Sequence, residues 1–167
     1  MKLIKQACGV DCTAASIAMV LGLELDFVKA ELFKDLPKPF PSPWDHLPKV
    51  PDMNVICDWA WRTRSAALTP FERDAVCTPH RDCPPVSVYP RNIRTSIRTA
   101  EDAWRCQLSY GAGLLEGAII GRELGHMVAW SGDAIYDPRG HIYTPDDAES
   151  YFKFQPRRFW LYTPTRK

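Results

Sequence analysis

The segment from Thr13 to Leu21 leaves the chain the least freedom. Ala14, Ala15, Ile17, Ala18, Val20 and Leu21 are small or apolar on nearly every side of a helix, so the helix they predict is buried on most faces and the rest of the chain must organise around it. Gly22 supplies the stop and Asp11 a natural N-cap. Cys12 then falls at the first helical position, where unpaired backbone N–H groups and the positive end of the helix dipole favour a thiolate over a thiol. Those N–H groups can also hold an oxyanion, and Gln6 carries a neutral amide donor that a loop can bring to the same oxygen. Cys12 therefore reads as a nucleophile, and the competing reading is a small buried apolar residue.

With 167 residues, 46% hydrophobic and 25% charged, the chain fits a single globular domain over 1–167 with a real core. A net charge of +1 offers no excess for nucleic acid or an anionic membrane. MKLIKQACG is too short in apolar residues for a signal-peptide core, and the first helix falls short of the roughly 20 residues that span a bilayer. The expected setting is the cytoplasm, with no membrane and no nucleic acid as partner. There the six cysteines, Cys8, Cys12, Cys57, Cys77, Cys83 and Cys106, are expected to be mostly free thiols.

Leu25 to Phe33 spaces Phe27, Val28, Leu32 and Phe33 as a second, amphipathic helix. The prolines from Pro37 to Pro51 then forbid regular structure. Met53 to Ala60 reads as a short strand through Val55, Ile56 and Cys57, and Ala66 to Val76 as a short helix opening at Thr69-Pro70. Cys77 to Pro90 is again proline-rich and irregular. A helix is expected near 99–110, capped by Thr99, with Arg91, Arg94 and Arg98 forming a basic stripe before it. Strands are expected at Gly117 to Gly121, His126 to Trp130, Ala134 to Asp137 and Phe159 to Tyr162, with turns at Ser131-Gly132-Asp133 and Pro138-Arg139-Gly140. The chain thus predicts an α+β fold with an N-terminal helix packed on a C-terminal antiparallel sheet, and an irregular middle over about 35–110.

Of the four histidines, His46, His80, His126 and His141, only His126 opens a strand in the sheet-like third, sharing a face with Val128 and Trp130. A tight turn then leads to a second strand ending at Asp137-Pro138, so a hairpin can set Asp137 beside the imidazole to orient it. Glu123 and Asp133 are less well placed for that role. This ordered set, Gln6, Asp11-Cys12, Ala14 to Leu21, Gly125-His126 and Asp137-Pro138, resembles the papain-like cysteine peptidase superfamily, and within it the bacteriocin-processing peptidases that cut double-glycine leaders. The resemblance covers about a quarter of the chain. It implies Cys12 as nucleophile, His126 as general base and acid, Asp137 as orienter and Gln6 as oxyanion donor. Thr13 stands where that family commonly has Gly, and the middle of the chain matches nothing in it.

A competing constellation is Cys77, His80 and Cys83, which have metal-ligand spacing and to which Cys57 or Cys106 could add a fourth ligand. The second paired cluster of most zinc sites is missing. Cys8 is the other candidate nucleophile, but it precedes the helix and is followed by Gly9. Trp130, Tyr136 and Trp160 read as sheet core, while loops bearing Trp44, Trp59 and Trp61 could line a cleft. The expectation is a cysteine peptidase acting on a protein or peptide through a thioester, with no cofactor and no metal. The same residues would serve a transglutaminase, amidase or acyltransferase, and a non-catalytic binding module is the alternative of another class.

Overall fold

The structure is a computed structural model that describes residues 1–6, 11–32, 52–72, 111–121 and 125–164. Its first helix, α1 (Cys12–Leu21), is buried along its whole length. Gly22 ends it in the left-handed conformation, with φ 63° and its N–H on the Ala18 carbonyl. Helix α2 (Leu25–Leu32) follows at once and buries Val28 against α1.

The segment read as a strand at Met53 to Ala60 is instead the helix α3 (Met53–Arg64). The Asp52 side chain accepts from the Asn54 N–H at 2.7 Å, and Ile56, Trp59 and Ala60 are buried at helical spacing. Val55, counted toward a strand, is 52% exposed. Trp59 and Trp61 are therefore helical, the first buried and the second exposed, and neither sits on a loop.

The helix expected to open at Thr69-Pro70 is also overturned: Ala66–Glu72 form the strand β1. It is an outer strand, and Pro70 lies opposite Trp160 in the register. An outer strand tolerates a residue that has no N–H to give. The long loop after α2, the Cys77 to Pro90 segment and the helix near 99–110 lie outside the described residues.

The remaining strands are β2 (Ala112–Ile119), β3 (Gly125–Ser131), β4 (Ala134–Asp137), β5 (His141–Tyr143) and β6 (Phe154–Pro164). Before β6 comes a short helix, α4 (Pro145–Ser150), with Thr144 at its N-cap position and Pro145 in its first turn. All pairings are antiparallel, in a six-stranded sheet of order β1-β6-β2-β3-β4-β5.

Both faces of this sheet are covered, which is why β3 is buried almost without alternation. Met127 and Ala129 join Leu114, Trp160 and the residues of α1 and α3 in one apolar cluster. Val128 and Trp130 join Ile135, Phe154, Phe159 and Ala148 of α4 in the other. Gly117 lies opposite His126 where β2 and β6 shift register, and a Cβ there would run into the Gln155 carbonyl. Among the described residues no helix is long and apolar enough to cross a membrane.

Candidate active site

Cys12 is the first residue of α1, and the helix is pinned at that end to the start of β3. One turn further along, the buried Ser16 hydroxyl donates to the Met127 carbonyl at 3.0 Å, while the Met127 backbone N–H reaches the Cys12 sulfur. A single residue of β3, through its N–H and its carbonyl, thus holds both the Cys12 sulfur and the helix that carries it.

Asp11 occupies the N-cap position, but its carboxylate makes no bond to the helix N–H groups. It turns instead to Lys29 of α2, with Nζ at 2.8 Å. The first turn of α1 is therefore left without a side-chain cap, the condition under which its N–H groups can serve an incoming oxyanion.

His126 is 7% exposed and opens β3. Its Nε2 lies 2.9 Å from Oδ1 of Asp137 across the β3–β4 hairpin. An ionised carboxylate only accepts, so Nε2 carries the proton and Nδ1 is left to meet the thiol. The ring packs edge-on against Phe154 at 5.8 Å, which fixes its plane.

The electrostatics favour a thiolate–imidazolium pair. Burial pushes the Cys12 thiol up, yet the His126 hydrogen bond, the Met127 N–H, the imidazolium charge and the Thr13 hydroxyl outweigh it, and the thiol ends below its ordinary value. Burial likewise pulls His126 down, but its bonds to Asp137 and Cys12 and their negative charges leave it above its ordinary value. Asp137 is fully buried, which raises it, and hydrogen bonds from His126 and Arg139 more than reverse this, holding it well below the carboxylate range.

Asp137 receives more than the sequence foretold. Oδ1 accepts from the Arg139 backbone N–H at 2.8 Å as well as from His126, and Oδ2 accepts from Arg139 Nε at 2.9 Å and Nη2 at 2.6 Å and from the Tyr143 hydroxyl at 3.0 Å. Neither Arg139 nor Tyr143 stands out in the sequence as a site residue. The signal for Arg139 was the Asp-Pro-Arg-Gly turn, which folds a residue two positions on back over the aspartate. Gly140, at φ 105°, closes that turn with its N–H on the Asp137 carbonyl at 2.9 Å.

Gln6 is tied to the same turn, its backbone N–H donating to the Pro138 carbonyl at 2.9 Å. Its side chain is half-buried, and the amide oxygen is buried with no partner among the described residues. The structure thus joins Cys12, His126 and Asp137 directly and anchors Gln6 one residue beyond the orienting carboxylate.

The other candidates that the structure describes take no part in this group. Cys57 lies on α3 with its thiol on the Leu68 carbonyl at 3.4 Å, and burial together with Asp52 raises its pKa. His141 and Asp133 are exposed. Cys8, His46, Cys77, His80, Cys83, Cys106 and Glu123 lie outside the described residues. Among the described residues no cluster of histidine, cysteine and acidic side chains could hold a metal ion.

A nucleophile, a base that touches it and a buried carboxylate that orients the base are the parts acyl transfer needs. Compared with known proteins, the chain matches no family model and no curated protein.

Proposed function

We propose that this chain is a papain-like cysteine peptidase that cleaves a peptide or isopeptide bond in a protein or peptide substrate. The observation that carries the reading is the buried line Cys12, His126, Asp137, in which the thiol lies below and the imidazole above its ordinary pKa. The nucleophile at the start of a buried helix, packed on an antiparallel sheet that carries the base, supports the papain-like assignment. Cys12 and Cys57 are free thiols, in keeping with a cytoplasmic setting.

The Cys12 thiolate attacks the scissile carbonyl carbon and a C–S bond forms. The oxygen takes up negative charge, and in this reading the first N–H groups of α1 and the Gln6 amide receive it. His126 gives its Nδ1 proton to the leaving nitrogen as the C–N bond breaks, and a thioester remains. Water, deprotonated by His126, then attacks the thioester, releasing a carboxylic acid and the thiol. Asp137 holds Nε2–H throughout and keeps Nδ1 on the reacting side.

The reading is tested by incubating the protein with a peptide mixture from a digested proteome and mapping new termini by mass spectrometry. Wild type should generate termini that Cys12→Ala and His126→Ala do not, a loss of ~10³ or more. Cleavage that survives Cys12→Ala in a folded protein overturns the mechanism.

A further inference from the structure

A carboxylate 2.9 Å from an imidazole in a buried site does more than orient it. Left unopposed, its charge would hold the imidazolium proton so firmly that His126 would become a poor acid, since a general acid works best with a pKa near the operating pH. Here the carboxylate is opposed. Arg139 lays Nε and Nη2 on Oδ2, while Nη2 also donates to the Phe152 carbonyl at 3.2 Å, fixing the guanidinium from behind. The Phe152 ring in turn stacks on Tyr143 at 4.1 Å and 11°, so the hydroxyl that bonds Oδ2 belongs to the same assembly.

We propose that Arg139 is a positioning residue that sets the working charge of the site: its guanidinium offsets the carboxylate that orients His126, so that the imidazolium keeps a proton it can still give up. This rests on the peptidase reading and adds a division of labour to it. Asp137 supplies direction, and Arg139 limits how much charge comes with it.

Among the described residues, the charged and titratable groups around His126 are Cys12 on α1, Asp137 on β4, Arg139 in the following turn and Tyr143 on β5. Glu116 on the neighbouring strand is engaged by Arg158 at 2.9 Å. Tyr143, raised by burial and by the Asp137 charge, stays a neutral donor. Among the described residues Arg139 is thus the cation bonded to Asp137 from outside the reacting pair.

The test reads the site without a substrate. The rate of Cys12 alkylation by iodoacetamide is followed against pH, and its upper step reports the loss of the His126 proton. In Arg139→Gln the carboxylate is unopposed, and the upper step should rise by about one pH unit. Arg139→Lys keeps the charge but not the fork, and should stay near wild type. Asp137→Asn leaves the guanidinium unopposed and should lower the step, while Asp137→Asn with Arg139→Gln should return toward wild type.

A structural role would not move the single variants in opposite directions and cancel in the double. If Arg139→Gln fails to fold, the rise from Asp137→Asn to the double variant carries the same sign test. An upper step in Arg139→Gln that superimposes on wild type or falls overturns the inference alone. Absence of selective Cys12 labelling in wild type on the acid side removes the peptidase reading, and the inference with it.

Discussion

Cys12 and Asp137 are both nearly sealed from solvent, yet packing holds the first and hydrogen bonds hold the second. Around Cys12 the whole of α1 is apolar or small, with Ser16 and the Met127 peptide as its polar ties. Around Asp137 both carboxylate oxygens are fully engaged by His126, Arg139 and Tyr143. The difference fits what the proposed peptidase chemistry would ask of each group: a sulfur free to bond carbon, and a carboxylate that does not move. A nucleophile is best held through its backbone, an orienter through its side chain.

The largest test of that contrast is removal of the over-bonded group. Asp137→Ala leaves the Arg139 guanidinium, the Tyr143 hydroxyl and His126 Nε2 without their acceptor. Breaking a buried charge pair in this way costs about 3–5 kcal/mol, to be read by urea denaturation. Asp137→Asn, which keeps the shape, should cost less. A drop under 1 kcal/mol in Asp137→Ala would mean that the hairpin does not depend on this carboxylate.

Ser16→Ala probes the helix side. It strips the buried Met127 carbonyl of its donor, and a loss of about 1–2 kcal/mol is expected. Cys12 labelling should slow as well, because α1 loses one of its two polar ties to Met127 of β3. Unchanged labelling with reduced stability would show that packing alone sets the position of the sulfur.

Acid sharpens the comparison further. The folded Asp137 pKa lies below its unfolded value, so its contribution to stability is complete above about pH 4 and is lost as pH falls through the folded value. Wild type should therefore lose stability more steeply than Asp137→Asn from about pH 4 downward, as measured by thermal unfolding. Parallel curves would contradict the carboxylate's role.

The smallest effect on stability is expected from Lys29→Met. Lys29 is 38% exposed, and a pair of this kind contributes at most about 1 kcal/mol. Its consequence should appear in the chemistry instead. A released Asp11 can cap α1 and place a negative charge beside Cys12, so labelling near pH 6 should slow while the melting temperature hardly changes.

How much of this was legible in the sequence depended on whether local pattern and tertiary context agreed. They agreed in α1, whose residues are small or apolar on nearly every face, and in the β3–β4 hairpin, whose tight turn brings the Asp137 side chain to His126. They conflicted at Met53 to Ala60. Val55, Ile56 and Cys57 favour a strand locally, but the Asp52 cap and the burial of Ile56, Trp59 and Ala60 on one side make a helix. At Thr69-Pro70 a good helix start was overridden by pairing with β6, a partner far along the chain.

The grouping of Cys12, His126 and Asp137 could be read because each sits at a recognisable start or end of an element. The Asp11–Lys29 pair could not, and of the Arg139 clamp only the Asp-Pro-Arg-Gly turn could, since the side-chain contacts depend on which carboxylates are buried. Even so, Thr144-Pro145-Asp146-Asp147 carried the cue for α4, with Pro in the first turn and acids at the positive end.

The central claim is that Cys12 is a thiolate sustained by His126. It is met most directly by brief iodoacetamide treatment at about pH 6, where an ordinary thiol is almost wholly protonated, with the modified cysteine mapped in wild type and in His126→Ala. Selective modification of Cys12 that disappears in His126→Ala is the expected result. Equal, slow labelling of all cysteines, or Cys12 labelling indifferent to His126, would contradict the account.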